Sequence, residues 1–343
     1  MSPISPQPGM RQKTSRTRRL RLVLAFLAGS LILAALGLQA TEEPRWRLEE
    51  VLSIGGLKSD LLSMWVGLAV DADGFIYLTD NVQNSLMKFD RRGKLVKKTG
   101  RRGSGPGEFL APRQVDVSAQ SVYVVDGNIQ AIQVFDKELK YQRRIPLSFA
   151  VNEIQALPDD SLAVPGVPLI KSEAGKVIIL DQAGRPLRSV AFIRPDKADA
   201  TSMSSFIFAP GGELYAALFW ADRIVKVDAQ GHAAWAKSLF DPDKVKAGKK
   251  SILGISQSMT FKDVALDPKG RLFVLGGSFS QTPNRDVYVL SPDDGRLLGT
   301  LTLPQSSHCI TIDRWGYLYS RADKGSTLKK FRIVASEKNS HRP

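Results

Sequence analysis

The chain has 343 residues, 43% of them hydrophobic and 24% charged, which is ordinary for globular protein and enough for one large domain or two small ones. Its net charge is +14, and six basic residues lie in the first 40 positions, where there is no acid. The remaining +8 favours an anionic partner, but no helix-turn-helix, zinc-finger or RNA-binding pattern accompanies it, so nucleic acid is not expected. The single cysteine, Cys309, excludes an intrachain disulfide.

The N-terminal region joins a basic segment to an apolar one. Residues 1–21 are polar and basic, and we expect a disordered cytoplasmic segment. Residues 22–40 are expected to form a hydrophobic helix, because the seventeen residues Leu22–Leu38 carry no charge. That length lies between the apolar core of a cleaved signal peptide, about 7–15 residues, and a membrane-spanning helix, about 17–25 residues. The long basic segment favours an uncleaved anchor in the cytoplasmic membrane; either alternative predicts export of the bulk of the chain to the periplasmic or extracellular side.

The stretch Gly100–Asp136 has the most regular pattern in the chain. It begins with a loop of four glycines and one proline and continues as short alternating runs of β-branched residues between turn residues, which predict antiparallel strands. The order GxGPGxFxxP, VxV, VYVxD and IQVFD resembles an NHL repeat. In that family each repeat forms one four-stranded blade of a β-propeller, so the resemblance implies this fold.

Related units recur along the chain, each with a turn residue followed two positions later by an apolar second strand. The six turn residues are 40 to 58 residues apart: Gly74, Gln120, Asp160, Gly212, Gly270 and Gly316. This period predicts an all-β six-bladed β-propeller over residues 46–334, with a five- or seven-bladed ring or a β-sandwich as alternatives. The sixth unit lacks a fourth strand, and we expect Trp46–Ile54 to supply it and close the ring, while 335–343 is a polar tail.

Alignment of the six first strands places polar residues at one mouth of the central channel. Our candidate ligand-binding residues there are Arg113, Asn152, Glu153, Lys262, Asp263 and His308. In the functional interpretation, Arg113 and Lys262 hold an anionic group. In the alternative interpretation the channel is hydrated and self-compensated, with Arg113 paired to Glu153 and Lys262 paired to Asp263 or water.

No residue is assigned a catalytic role, and no cofactor or resident metal is expected. A bound calcium ion stays open as an alternative, because Asn152, Glu153 and Asp263 supply part of the oxygen set of the lactonase-like propellers that the repeats resemble; Arg113 and Lys262 would repel a cation. The His-rich zinc site of the peptide-amidating lyases in that superfamily cannot be assembled from three histidines. The sequence has no GxSxG motif of a serine hydrolase.

Two insertions between blades, 184–203 and 239–260, carry apolar residues and predict a lid or a protein-docking surface on the mouth side. The alternative is that these residues pack on one another. The candidate docking residues are Phe219, Trp220, Lys249 and Lys250. The sequence favours an exported, membrane-tethered, non-catalytic scaffold that binds a protein or an anionic small ligand. The other hypothesis is a propeller enzyme of the lactonase, lyase or strictosidine-synthase-like type with its site at the channel mouth.

Overall fold

The computed structural model describes residues 46–149, 151–166, 175–193, 204–219, 221–240, 260–276 and 285–335. The predicted hydrophobic helix at 22–40 lies outside these ranges, as does the predicted polar tail 335–343 except for Ala335, which is the last residue of a strand. Within the described ranges, no helix is long and apolar enough to cross a membrane.

The described residues form six antiparallel sheets of four strands, one sheet per blade. Blade 1 contains β2 (Trp65–Val70), β3 (Ile76–Asp80), β4 (Ser85–Phe89) and β5 (Leu95–Thr99). Blade 2 contains β6 (Pro112–Val117), β7 (Ser121–Asp126), β8 (Ala131–Asp136) and β9 (Tyr141–Pro146). Blade 3 contains β10 (Gln155–Ala156), β11 (Leu162–Pro165), β12 (Lys176–Leu180) and β13 (Pro186–Ala191). Blades 4 and 5 contain β14 (Ser204–Phe208), β15 (Leu214–Leu218), β16 (Ile224–Val227) and β17 (Ala233–Lys237); and β18 (Phe261–Leu266), β19 (Leu272–Gly276), β20 (Asp286–Leu290) and β21 (Leu297–Thr302). Blade 6 contains β22 (Ile310–Ile312), β23 (Tyr317–Ala322), β24 (Thr327–Ala335) and β1 (Trp46–Gly55).

Blade 6 joins the two ends of the described chain. Strand β1 pairs antiparallel with β24, from Trp46 opposite Ala335 to Gly55 opposite Thr327, with one register shift near Val51. The segment Trp46–Ile54 therefore lies in the outer strand of the last blade. Backbone hydrogen bonds between β1 and β24 connect parts of the chain that are far apart in sequence, and they leave the third strand of blade 6 with no open edge.

The core consists of six apolar layers, one between each pair of neighbouring blades around the ring. The layer between blades 6 and 1 contains Ile54 and Tyr319 from one blade and Trp65 and Phe89 from the other. The Trp65 indole is fully buried and donates from Nε1 to the carbonyl of Thr327 at 3.1 Å. Second strands such as β3 are buried at every position, because a blade is covered on both faces; this is why they read as continuous apolar runs in the sequence.

Tight turns join first to second strands and third to fourth strands. In blade 1 the Asp71 carboxylate accepts the backbone N–H groups of Asp73 (3.0 Å) and Phe75 (2.9 Å), and Gly74 completes the turn with φ of +83°. Asp313 holds the corresponding turn of blade 6 in the same way. Because the strands of a blade are antiparallel, all these turns lie at one end of the ring, which we call the turn face.

Candidate functional site

The candidate site lies at the other end of the ring, the mouth face, which we define by the residues at which the first strands begin. The first strand of every blade is its innermost strand: β2, β6, β10, β14, β18 and β22. In a propeller these strands surround the central channel. Their inner edges have no strand partner, so the polar groups along them need side chains or water as hydrogen-bond partners.

Three of the first strands are bulged at the mouth. The register against the second strand shifts between Trp65 and Gly67 in β2, between Pro112 and Val115 in β6, and between Phe261 and Asp263 in β18. A bulge redirects the side chain that it leaves unpaired. Arg113 and Lys262 are two such residues, and the uninterrupted alternation assumed in the sequence alignment placed both in one column.

Arg113 and Asn152 do not join the other candidate residues. Both are exposed, and the Arg113 side chain lies across Gly127, where an added Cβ would clash with Nε. Among the described residues Arg113 makes no ion pair, and the Glu153 carboxyl group is hydrogen-bonded to the Ser205 hydroxyl and the Phe206 N–H. The structure thus does not contain the Arg113–Glu153 pair of the self-compensated alternative.

Acidic side chains connect the first strand of one blade to that of the next. In each case a carboxylate oxygen accepts a backbone N–H from the neighbouring blade, as Asp116 does from Ala156 (2.7 Å), Glu153 from Phe206 (3.4 Å) and Asp263 from Ile310 (2.8 Å). Gln155 adds a two-way bond to the backbone of Phe208, at 2.7 and 3.0 Å. These acids therefore have a structural role in holding the ring together.

Glu153 and Asp263 are also linked to each other through one hydroxyl group. The Ser205 Oγ lies 2.8 Å from Glu153 Oε1 and 2.8 Å from Asp263 Oδ1. A hydroxyl has one proton to donate, so it can donate to only one of the two carboxylates. If the other carboxyl group is protonated, it donates to the hydroxyl oxygen, and the three groups form a continuous chain of hydrogen bonds. Burial, and then the Asp263 charge, raises the pKa of Glu153 to about 8, while burial raises the pKa of Asp263 to about 6. At neutral pH the Glu153 carboxyl group is therefore protonated, and the Asp263 carboxyl group is ionised.

A basic corner, which we define as Lys262, His308 and Arg321, lies beside these hydrogen-bonded acids. Lys262 belongs to blade 5 and the other two residues to blade 6, and the guanidinium carbon of Arg321 is 5.9 Å from the Trp65 ring centroid of blade 1. Lys262 is 5% exposed and donates to the carbonyl of Ser307 at 3.1 Å, and Arg321 is 8% exposed and donates to the carbonyl of Lys324 at 2.6 Å. Desolvation of the imidazole, and then the positive charges of Arg321 and Lys262, lower the pKa of His308 to about 4, although part of the residue is exposed at the mouth. His308 is therefore neutral at physiological pH, and the electrostatic field that acts on it is positive.

Arg321 was missed by the sequence reasoning because it lies on a second strand. Counted from the turn residue, Arg321 corresponds to Thr79 in β3 and to Val125 in β7, and the next residue, Ala322, corresponds to the buried aspartates that end those strands. A buried guanidinium at the end of an otherwise apolar strand is costly unless it is compensated. A charge at a position that is uncharged in the other five second strands is the signal that would have identified it.

The candidate docking residues are mostly outside the described ranges. Trp220, Lys249 and Lys250 lie there, and only Phe219 is described; it is half-buried, and its carbonyl accepts the N–H of Thr260 at 2.7 Å. At the start of the second insertion, Phe240 packs on Phe261 (6.0 Å between ring centroids) and Tyr288 (5.4 Å). In the first insertion, Phe192 is buried in the layer between blades 3 and 4. The described aromatic residues of the insertions thus pack within the domain.

No group of three or more histidine, cysteine, aspartate or glutamate side chains suited to a metal ion occurs in the described part of the chain. Cys309 is half-buried, and burial raises the pKa of its thiol. The thiol is therefore protonated at neutral pH, which is unfavourable for a nucleophile.

Three solved structures illustrate what the fold is similar to. A member of the DUF4221 family from Bacteroides vulgatus is 14% identical, with a TM-score of 0.59 over 86% of this chain and 100% of that one. A streptogramin B lyase is 12% identical, with a TM-score of 0.56 over 84% and 98%. A catalytically inactive virginiamycin B lyase from Staphylococcus aureus, solved with quinupristin, is 11% identical, with a TM-score of 0.52 over 87% and 90%. At these identities the likeness shows the fold alone.

No curated protein sequence matches this chain. The NHL character of Gly100–Asp136 stays a prediction. The family described as "6-bladed beta-propeller", DUF5128, matches residues 58–245, which is more than half of the chain. Together with six blades in one ring, this match shows that the chain belongs to the DUF5128 family of six-bladed β-propellers.

Proposed function

We propose that this propeller is a non-catalytic scaffold that binds an anionic ligand, either a small molecule or an acidic segment of a protein, at the mouth face. The observation that carries the proposal is the placement of two buried cations, Lys262 and Arg321, near His308, where their charges produce a positive electrostatic field. A concave site with low-dielectric walls strengthens such a field and attracts anions. We further propose that the scaffold is exported and tethered to the membrane through residues 22–38, which the apolar sequence of that segment supports.

Acids at the mouth oppose this field in part, since the charge of buried Asp80 acts on Arg321, but the acids of the first strands also have other partners. Asp116 and Asp263 accept backbone N–H groups of the next blade, and Glu153 carries a proton at neutral pH because its pKa is about 8. Only one negative charge therefore remains on the Glu153–Ser205–Asp263 chain at neutral pH. An anion at the basic corner would gain charge-assisted hydrogen bonds there.

The test is anion binding to matched lysine variants. Citrate and an acidic hexapeptide are titrated calorimetrically into the protein and into Lys262→Gln and Lys226→Gln. Lys226 is a suitable control because it is also largely buried and donates to a backbone carbonyl, that of Pro292 at 3.0 Å, but lies near the turn face. Loss of a charge-assisted contact weakens binding about tenfold or more. We expect this loss for Lys262→Gln alone, and Lys262→Arg should retain most of the affinity.

Equal affinities in all three lysine variants, or no saturable binding of either probe, would overturn the proposal. Unfolding midpoints measured on the same samples separate a loss of the site from a loss of the fold. If only the peptide binds, and Lys262→Gln abolishes that binding, the proposal stands with a protein partner.

A second candidate function is catalysis, and the Glu153–Ser205–Asp263 chain favours it. Two carboxyl groups whose pKa values are separated, about 8 and about 6, are suited to act as acid and base near neutral pH. The reaction would be of the lactonase or lyase type, at the channel mouth. Quinupristin and a simple aryl lactone are the probes: turnover that is lost in Glu153→Gln would favour an enzyme and count against the scaffold, whereas turnover that survives this change would exclude the assigned acid.

A further inference from the structure

Trp315 is the most exposed aromatic side chain of the described residues, with 45% of its surface in solvent. It lies on the turn face, in the turn between β22 and β23. Its ring packs against the first turn of blade 1, where a Cβ added at Gly74 would lie 3.0 Å from the nearest ring atom. A residue of blade 6 is thus positioned by blade 1, at the seam where the ring closes.

Three arginines surround this indole. The guanidinium carbon of Arg314 is 4.9 Å from the ring centroid and that of Arg91 is 5.8 Å from it, both within the range of a cation–π interaction. Arg92 is exposed beside Arg91 in the turn Asp90–Gly93. Among the described residues, none of the three arginines forms an ion pair with a carboxylate. Their charges are available to a ligand.

An open cavity of about 510 Å³ lies between these turns and the edge of β1, lined in part by Arg91, Arg92, Trp315, Tyr317 and Lys330. Lys330 is nine-tenths buried, and its Nζ lies 3.4 Å from Asp313 Oδ2, so its charge is compensated within the fold. It forms the floor of the cavity, below the exposed side chains of Arg91 and Arg92. The volume is in the range of small-ligand pockets, about 300–1,000 Å³.

The equivalent turns of the other blades show whether the fold itself requires these residues. The two central residues of the third turn are both arginine in blade 1, whereas the corresponding pairs in blades 2 to 5 are Lys137-Glu138, Gln182-Ala183, Ala229-Gln230 and Pro292-Asp293. At the position of Trp315 in the first turn, blades 1, 4 and 5 have Asp73, Gly211 and Lys269. The propeller fold therefore does not require a tryptophan or two arginines in these turns, and both occur where blades 6 and 1 meet.

We propose that this cavity is a second binding site, for a small organic anion in which a ring stands next to a carboxylate or phosphate group. The ring packs against Trp315, and the acidic group accepts paired hydrogen bonds from Arg91 and Arg92. Arginine suits this role because its planar fork matches the two oxygens of a carboxylate or phosphate. The site lies at the end of the ring opposite the basic corner, so it is independent of the function proposed for the mouth.

The experiment is a fluorescence titration of the intact protein with three probes. Digalacturonate carries a carboxylate on a sugar ring, adenosine monophosphate carries a phosphate and a base, and inorganic phosphate carries charge alone. We expect one of the two ring compounds to change the Trp315 emission saturably and to bind about tenfold or more tightly than inorganic phosphate, because stacking adds to the charge contacts. A preference for the uronate or for the nucleotide identifies the source of the anion.

Variants of the same protein separate the site from the fold and from the mouth. Arg91→Ala and Arg92→Ala should each weaken binding about tenfold, the loss of one charge-assisted contact. Trp315→Phe removes the signal, so its affinity is measured by calorimetry. Lys269→Ala, an exposed cation on the turn face of blade 5, and Lys262→Gln at the mouth should bind as the parent does. The proposal is overturned if no ring compound binds saturably, if inorganic phosphate binds equally well, or if the double variant Arg91→Ala with Arg92→Ala keeps its affinity.

Discussion

Replacing Glu153 by glutamine should flatten the pH dependence of stability above pH 6.5. The parent needs a proton on Glu153 to complete the chain through Ser205 to Asp263. Glutamine has nearly the same shape, and its amide can donate to Ser205 at every pH. The N–H of Phe206 contacts the same carboxyl atom, Oε1, at the long distance of 3.4 Å, so little is lost when that atom becomes a donor. The variant therefore mimics the protonated state permanently.

The direction in which stability changes with pH depends on whether the folded or the unfolded state binds the proton of Glu153 more tightly. The pKa of Glu153 is about 8 in the folded protein and 4.5 in its ordinary state, so between these values the folded protein keeps a proton that the unfolded chain releases. Stability of the parent then decreases as the pH rises and levels off above pH 8. At about 1.4 kcal/mol per pH unit the whole interval corresponds to about 5 kcal/mol. Contact of the half-buried carboxyl with channel water reduces this to about 1–2 kcal/mol.

The assay is urea unfolding of the parent, Glu153→Gln and Glu138→Gln from pH 6.5 to 9.5, a window above the pKa of Asp263, which is about 6. Glu138 is an exposed glutamate and serves as the control. We expect Glu153→Gln to match the parent at pH 6.5 and to exceed its free energy of unfolding by about 1–2 kcal/mol at pH 9.5. Parallel curves for the parent and Glu153→Gln would refute the argument that a shared proton completes this chain.

Three further outcomes are expected. Deletion of Trp46–Ile54 should abolish the cooperative thermal transition, because blade 6 loses its outer strand; a normal transition in circular dichroism would contradict this. Gly67→Ala should lower the free energy of unfolding by about 2–4 kcal/mol, because the added Cβ would clash with the Arg113 carbonyl. Gly270→Ala, where there is open space but φ is +74°, should lower it by only about 1 kcal/mol. Similar losses for the two variants in urea unfolding would count against the packing argument. In NMR titrations the pKa of His308 should be about 4 and should rise when citrate binds at the mouth; an unchanged value at saturation would show that citrate binds elsewhere.

The fold was predictable from the sequence because its main signals are local. The second strands predicted at Ile76–Leu78 and Val122–Val124 lie within β3 and β7, and they are buried throughout. Continuous apolar runs between turn residues identify such strands without reference to other parts of the chain. The count of six blades needed only the spacing of those runs, and the match to a family of six-bladed propellers confirms it.

The site was less predictable because a bulge is not visible in a hydrophobic pattern. The register shifts in β6 and β18 redirect Arg113 and Lys262, so that one lies on Gly127 and the other donates to Ser307. The link between Glu153 and Asp263 depends on Ser205 lying between them, and on the distance from blade 3 to blade 5. Such relations are properties of the closed ring, and no single repeat contains them.

The polar mouth of a propeller is not in itself a sign of function. First strands have an unpaired inner edge, so carboxylates such as Asp116 and Asp263 are required there to hold the backbone of the next blade. Side chains that indicate function are those that this requirement does not explain. The basic corner meets this condition, because a backbone carbonyl such as that of Ser307 or Lys324 can be satisfied by a neutral donor or by water and does not require a buried cation, which is costly. The arginines beside Trp315 meet it as well, since the Asp90 and Asp313 carboxylates already hold their turns. Both places lie next to blade 6, the one blade assembled from the two ends of the described chain, where its sequence departs from the repeat.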